Sequence, residues 1–514
     1  VFTGRFSIAL SHMVVGVALY RGMVAELVPD RVGFISLTLL LLVYLGIEIW
    51  FARREHPSRW LVNPAVMASF ATFALTLGFT NFVLFVPEVA KARMWQYQLF
   101  GFQWLSLATL MGMVAAFGMW TGFHLNLGKR LGVRLRRSSF LIRVLHTEVR
   151  LRWWFVIAGI VASVGSRLLL VQLGAFGYSA DISQLYALGP YLFYINLFAD
   201  LGMLSLVGIA LYYFASDYPR PFTLGLLLGV LGAEIFFGLL SGFKGAVVMP
   251  IIVVGVCYYI VKGRVPKMQI LAAFALVFLA YQIVEPFRQL RVSDSSFDNQ
   301  SASYLTDTIT GIASGKVDTG YSADVSDTAI EVLARKNTTA FAAMAMRAKE
   351  DGVIKHKSQV FQRDLLLSPA YAVIPRLIWR SKPTQDIGEW YNRVVLGNPF
   401  RNAVGMSPVG YLYIAGGALA VLLGFLVLGL TQRVLLEGFL FAGAGGVIVF
   451  LGLLDNMVRI DNAFYAVFVE MIRYVPLLFV AQLLLFRRAP SHTRREVRPG
   501  SSATRAHLTS MTSR

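Results

Sequence analysis

Apolar runs of roughly 18 to 25 residues, each long enough to cross a bilayer as a helix, recur along most of this chain. They lack the period-two alternation of barrel strands, so helices are the only way to satisfy their backbone polar groups in hydrocarbon. The pattern predicts spans near 6–27, 33–52, 62–86, 102–125, 153–173, 186–213, 222–242, 246–262, 268–285, 408–430, 435–454 and 463–486. The expected fold class is therefore all-α, a polytopic membrane helical bundle of about 12 spans. It divides into 1–285 (the first nine spans), a large loop at 286–404, the last three spans at 405–486 and a tail at 487–514. The first run is read as a retained helix rather than a cleaved signal.

Charge then orients the bundle. With the N-terminus inside, the cytoplasmic segments hold 24 Lys or Arg, whereas the short outer loops hold five: Arg31, Lys91, Arg93, Lys244 and Arg459. That asymmetry predicts both termini in the cytoplasm and a large extracytoplasmic loop. The basic stretch 126–152 interleaves apolar residues and is expected to lie on anionic lipid, with a regulatory partner as the alternative. The Arg-, Ser- and Thr-rich tail is expected to be disordered. Composition agrees: 56% of the 514 residues are hydrophobic and 15% charged, at a mean hydropathy of +0.62. The net charge of +19 is the flanking charge of membrane helices and does not point to nucleic acid. The single cysteine, Cys257, sits in an apolar run and reads as core packing.

The loop is where chemistry is expected. Residues 286–334 carry three basic and seven acidic side chains, but 335–404 carry twelve basic and five acidic, a surface suited to an anionic ligand. Loops of this length usually carry function or fold as a small domain. Before it, Ser241-Gly242-Phe243-Lys244-Gly245 would form a tight turn presenting backbone N–H groups beside an ammonium; an ordinary helix–helix turn with a snorkelling lysine is the plainer reading. At the loop's entrance, Arg288 and Arg291 in Glu285-Pro286-Phe287-Arg288-Gln289-Leu290-Arg291 share a helical face, which suits bidentate phosphate binding or a solvated helix end. Further on, Tyr371-Ala372-Val373-Ile374-Pro375-Arg376-Leu377-Ile378-Trp379-Arg380-Ser381-Lys382-Pro383 combines apolar anchors, two prolines and three cations, with Trp379 suited to the membrane interface. Glu389, Tyr391, Asn392 and Arg401 follow before the chain re-enters at Ser407-Pro408-Val409-Gly410-Tyr411.

In this order the parts resemble the bacterial O-antigen and exopolysaccharide repeat-unit polymerases, the Wzy-like family. The resemblance rests on the Ser241–Gly245 turn, the Pro286–Arg291 opening, the Ile-Pro-Arg-x-x-Trp-x-x-Lys-Pro pattern at 374–383 and the glycine-rich helix from Gly410 to Gly424. It covers roughly 220–430. Two departures are Lys244, where Arg is commoner, and Arg380-Ser381, where Pro-Asp is usual. The resemblance implies a fold like the C-type (GT-C) membrane glycosyltransferases in the bacterial cytoplasmic membrane. The substrates it implies are glycan repeats on undecaprenyl diphosphate, and a chain-length regulator or flippase would be the fitting partner.

In the implied reaction an acceptor sugar hydroxyl attacks the donor anomeric carbon and expels undecaprenyl diphosphate. Fixed cations would stabilise the charge gathering on that leaving group. Arg288, Arg291, Arg376, Lys382 and Lys244 are the candidates, with Arg335, Arg380, Arg401 and Tyr411 behind them. Asp386 or Glu389 would serve as a general base if one is needed. No cofactor is expected, and no metal, since no Asp-x-Asp pair in the first outer loops and no His or Cys cluster has ligand spacing. The alternatives are an O-antigen ligase or other lipid-linked glycosyltransferase, or a proton-coupled transporter. The transporter reading draws on Asp200 and Glu234, charges set within spans alongside Arg167, Glu470 and Arg473; the last two lie three apart and would also satisfy each other.

Overall fold

The computed structural model describes residues 2–57, 59–86, 102–145, 147–177, 184, 187–276, 282–284, 307–308, 310–312, 314, 333, 336–354, 357–374, 378–379, 382, 387–398, 404–458 and 463–488. Ten helices among these are long and apolar enough to cross a membrane. The protein is an all-helical membrane bundle, and its one described sheet pairs two short antiparallel strands.

The chain forms two compact units. The first comprises 1–138, 324–441 and 452–477. It contains α1 (Phe2–Val24), α2 (Asp30–Glu55), α3 (Pro64–Phe85), α4 (Phe102–His124) and α5 (Asn126–Arg136). Asn63 starts α3 by accepting from the Ala65 amide at 3.0 Å ahead of Pro64. Its middle, Ser69–Gly78, widens into a π-helix and its end, Phe79–Phe85, tightens to 3-10. At the centre of the unit α4 runs against a later helix, α15 (Pro408–Leu435), with glycines at the crossing. A Cβ on Gly122 would fall 2.0 Å from the Leu426 carbonyl oxygen, and one on Gly429 would fall 1.9 Å from that of Met119. The backbones therefore approach as only glycine permits.

Three helices of the long loop belong to this unit: α12 (Thr338–Glu350), α13 (Lys357–Val373) and α14 (Ile387–Val394). Five alanines stud α12, and Ala340, Ala342, Ala343, Ala345 and Met346 are buried. Asn337 caps it by accepting from the Ala340 amide at 3.0 Å, while its own amide donates to the Thr80 carbonyl at 3.0 Å. Thr338 donates to the Thr76 hydroxyl at 3.0 Å. The irregular turns of α3 thus find their partners in α12, and this part of the loop packs into the helical core of its unit.

The second unit comprises 139–323, 442–451 and 478–514. It holds α6 (Ser139–Leu145), β1 (Thr147–Leu151), α7 (Trp153–Gln172), α8 (Gly189–Ala215), α9 (Pro221–Leu240), α10 (Lys244–Lys262), α11 (Lys267–Leu276) and β2 (Phe486–Arg488). The strands pair with Thr147 opposite Arg488 and Leu151 opposite Phe486. Inside it Arg167 grips Glu234 bidentately at 3.0 and 2.7 Å and also donates to the Ala199 carbonyl at 3.2 Å. Both side chains are largely buried, and Glu234 is held as an ion-pair partner, not as a lone carboxylic acid. Glu234→Ala leaves the guanidinium buried without its counter-ion, which is expected to cost roughly 3–5 kcal/mol. The unfolding temperature of the detergent-solubilised chain should fall accordingly, and the apolar double substitution Arg167→Met with Glu234→Leu should recover most of it.

Two expected spans differ from the pattern. Around 268–285 the described helix is Lys267–Leu276, with 277–281 outside the described residues. The expected break between 430 and 435 is absent, because α15 continues through a π-helical turn at Leu436–Leu440. The polar residues that suggested a loop each find a partner within the unit. Thr431 donates to the Val427 carbonyl at 2.9 Å, Gln432 to that of Met457 at 2.9 Å, and Arg433 pairs with Glu437 at 2.7 Å. The turn comes instead at Gly443 (φ 98°), leaving α16 (Ala444–Val458) only 15 residues long; α17 (Phe464–Leu485) follows. The tail from 489 lies outside the described residues.

Candidate functional site

Within the first unit, polar side chains gather where α13 ends beside the first turns of α15. Ser407, at φ 66°, accepts from the Val409 amide at 3.3 Å and starts α15 with Pro408 in its first turn. The helix breaks after two turns at Gly416 and Gly417, the latter left-handed at φ 66°. A broken helix frees carbonyls that must be satisfied inside the fold. The Ala415 carbonyl accepts from Ser358 at 3.1 Å and from Gln362 at 2.6 Å, both on α13, and the Tyr413 carbonyl accepts from Lys349 of α12 at 2.7 Å. Burial lowers the Lys349 pKa, with neighbouring Glu350 opposing.

The other end of α13 collects cations. The Tyr371 carbonyl accepts from both Lys382 and Arg473, the latter at 2.8 Å, and the Ile374 carbonyl accepts from Lys382 at 2.9 Å. These are helix C-terminal carbonyls, where the backbone is negative and an ammonium or guanidinium is stabilised. Beneath them the Tyr371 hydroxyl donates to buried Asp364 at 2.9 Å, and Arg363 stands 3.8 Å from the same carboxylate oxygen with its guanidinium mostly exposed. Burial first, then the bond to Asp364, raises the Tyr371 pKa, so the phenol stays a neutral donor at physiological pH. Aromatic rings floor the cluster: Phe361 stacks on Tyr411 at 4.6 Å, Tyr411 meets Tyr465 at 5.7 Å, and Trp379 lies 5.5 Å from Tyr371.

Of the residues singled out in the sequence, Lys382 and Tyr411 come to this cluster. Lys382 is buried and bonded to the end of α13, and Tyr411 is fully buried with its hydroxyl on the Phe361 carbonyl at 3.2 Å. Glu389 lies on α14, half-buried and 3.7 Å from Arg393, one helical turn away. Lys244 belongs to the second unit, where it opens α10 behind the expected tight turn: Gly242 has φ 68°, and Ser241 donates to the Gly238 carbonyl at 2.7 Å. Arg288, Arg291, Arg335, Arg376, Arg380, Asp386 and Arg401 lie outside the described residues. Sequence reasoning missed Arg363, Asp364, Tyr371 and Arg473 as a group. Tyr371 opened the distinctive segment, and Arg473 is a charge in an apolar span that had to find a partner. One group it reaches is a carbonyl 102 residues away. Among the described residues no group of His, Cys, Asp and Glu is placed to hold a metal ion.

A family described as "Domain of unknown function (DUF8712)" matches residues 166–489, well over half of the chain. The chain belongs to the DUF8712 family. No curated protein and no solved structure matches it. The DUF8712 region begins within α7 and takes in the whole cluster just described, whereas α1 to α5 precede it. Every helix that supplies a cationic or tyrosine side chain to the cluster is therefore a DUF8712 element.

Proposed function

We propose that this protein is a lipid-linked oligosaccharide polymerase. It joins glycan repeat units carried on undecaprenyl diphosphate at the outer face of the bacterial cytoplasmic membrane. The observation that carries this reading is the meeting of Lys382 and Arg473 at the end of α13, with Arg363 beside Asp364 one face below. From that point the chain runs directly into Ile374-Pro375-Arg376, the motif shared with the Wzy-like polymerases. Cations fixed before the reaction stabilise a diphosphate as it leaves, and a site walled by packed helices strengthens them by excluding water. The buried stack of Phe361, Tyr411 and Tyr465 fixes the end of α13, and so the cations on it, in place. Twelve spans with both termini cytoplasmic, and a GT-C-like arrangement, complete the reading. The bidentate grip of Arg167 on Glu234 weighs against the transporter alternative, because it removes one of the two acids a proton path would use.

The test is accumulation. A strain lacking the gene should keep single repeat units on the lipid carrier or cell surface and make no long chains. A transporter would instead trap lipid-linked repeats on the inner leaflet, which would overturn the proposal. Purified full-length protein given defined lipid-linked repeats should polymerise them, releasing undecaprenyl diphosphate. Arg288→Ala and Arg376→Ala should each abolish long chains at unchanged protein level.

A further inference from the structure

A second polar site lies in the first unit at the far end of α15 from Tyr411, roughly 30 Å along the helix. There α2, α4 and α15 come to their ends and α5 begins, around a cavity of about 320 Å3. Its wall includes Glu55 and His56 at the end of α2, His124 at the end of α4, Asn126 and Lys129 on the first turn of α5, and Arg433 of α15.

The charges in this wall are unequally committed. Glu55 is neutralised by Arg5 at 2.8 Å and Arg433 holds Glu437 at 2.7 Å, while Lys129 has no carboxylate in ion-pair range among the described residues. Burial first, then the nearby Arg433, lowers the His56 pKa, with Glu55 and Glu437 opposing and Lys129 adding to it. The cavity therefore presents a net positive field. One donor is also left over, since Arg433 Nε is buried without a hydrogen-bond partner, while His124 Nε2 stands 3.6 Å from a Glu48 carboxylate oxygen. A buried donor without a partner is costly unless a ligand or water completes it. His124 also borders a void of about 20 Å3, room for about one water, against Tyr44 and Glu48. The buried Tyr44 and Glu48 face His124 across that void, with a Glu48 oxygen 3.6 Å from His124 Nε2.

Backbone adds to the field. No side chain caps the N-terminus of α5 at Leu125, and Leu125 and Asn126 line the cavity, so the positive end of the helix lies at its wall. The helix lies where a lipid could reach it. Gly128 and Gly132 press against Arg433 and Glu437 of α15, while Leu127 and Leu131, one turn apart, are exposed. An amphipathic helix docked on one side and apolar on the other suits the headgroup layer of a bilayer.

We propose that this cavity is a phosphate-binding site, walled by Lys129, His56, Arg433 and the first turn of α5, at the opposite end of the unit from the candidate active site. The occupant is either the phosphate of an anionic phospholipid or a soluble phosphate compound, and a basic pocket between helix ends recognises both by the same chemistry. On the orientation proposed above the cavity opens to the cytoplasm.

The test uses the full chain in nanodiscs, comparing wild type with Lys129→Gln and Lys129→Glu, exposed positions that spare the packing. Native mass spectrometry from phosphatidylcholine discs doped with phosphatidylglycerol should show bound phosphatidylglycerol on wild type. Both variants should lose it by about tenfold or more, as removal of one charge-assisted contact requires. That result assigns the site to lipid. If pyrophosphate instead raises the thermal stability of wild type in pure phosphatidylcholine discs and not of the variants, the occupant is soluble. If both variants match wild type in both assays, the cavity binds no phosphate and the inference is overturned. Polymer formation is not the readout, so failure here is distinct from failure of the proposed reaction.

Discussion

Arg473→Ala is expected to abolish long glycan chains while single lipid-linked repeats accumulate. The argument starts from electrostatics. Its guanidinium bonds the Tyr371 carbonyl at 2.8 Å beside Lys382, so one substitution removes a permanent positive charge from the place where the diphosphate would leave. Loss of one preorganised donor of this kind typically lowers turnover by about 100- to 1,000-fold. Arg473 also ties α17 to the end of α13, so protein level and thermal stability must be read alongside. Arg473→Lys separates the two roles: it keeps the charge but cannot form a bidentate fork, and it should restore part of the activity. Polymer length on a gel, with the ratio of unreacted to extended lipid-linked glycan, gives the answer. Full-length chains from a stably folded alanine variant would remove Arg473 from the site.

A larger loss, of the fold itself, is expected from Gly122→Val or Gly429→Val. The Cβ of any replacement would sit 2.0 Å from the Leu426 carbonyl oxygen in the first case and 1.9 Å from the Met119 carbonyl oxygen in the second. Backbone cannot rotate away as a flexible side chain can, so α4 and α15 must separate along their whole crossing. Overpacking a helix interface ordinarily costs about 1–3 kcal/mol, and a clash with main chain on both helices belongs at or above the top of that range. Helix α3 touches both helices, through Phe73 on Phe425 at 5.6 Å and Ser69 accepting from Trp120 at 3.0 Å, so separation must strain one of these contacts. Fluorescence-detected size-exclusion chromatography should find aggregated or absent protein. By contrast, Gly46→Ala meets nothing within 4 Å and should leave the elution profile unchanged.

The candidate site was legible in part. The segment 371–383 stood out because prolines, cations and Trp379 crowd together in it, and Lys382 and Tyr411 do lie at the cluster. The roles were not legible. Tyr371 opened the segment with no role assigned to it, whereas its hydroxyl holds Asp364 and its carbonyl gathers two cations. Asp364 drew no notice, since a single carboxylate in a charged stretch has no signal until its surroundings are known. The spacing of Glu470 and Arg473 gave no sign that the guanidinium also reaches the end of α13.

What the order of residues determined by itself is the solvent this chain folds in and the class of structure that solvent allows. Apolar runs of bilayer length must close their hydrogen bonds internally, and helices do so locally, whatever their neighbours. Local chemistry also set the start of α3 at Asn63-Pro64, that of α15 at Ser407-Pro408, and the tight turn at Gly242. The tertiary structure decided what local chemistry left open. It carried α15 through Thr431, Gln432 and Arg433, because Val427, Met457 and Glu437 were there to satisfy them. It joined Arg167 to Glu234 across 67 residues and drew α12 from a polar loop into the core against α3. A polar group in an apolar surrounding is stable only with a partner, and which partner comes within reach depends on how the helices pack.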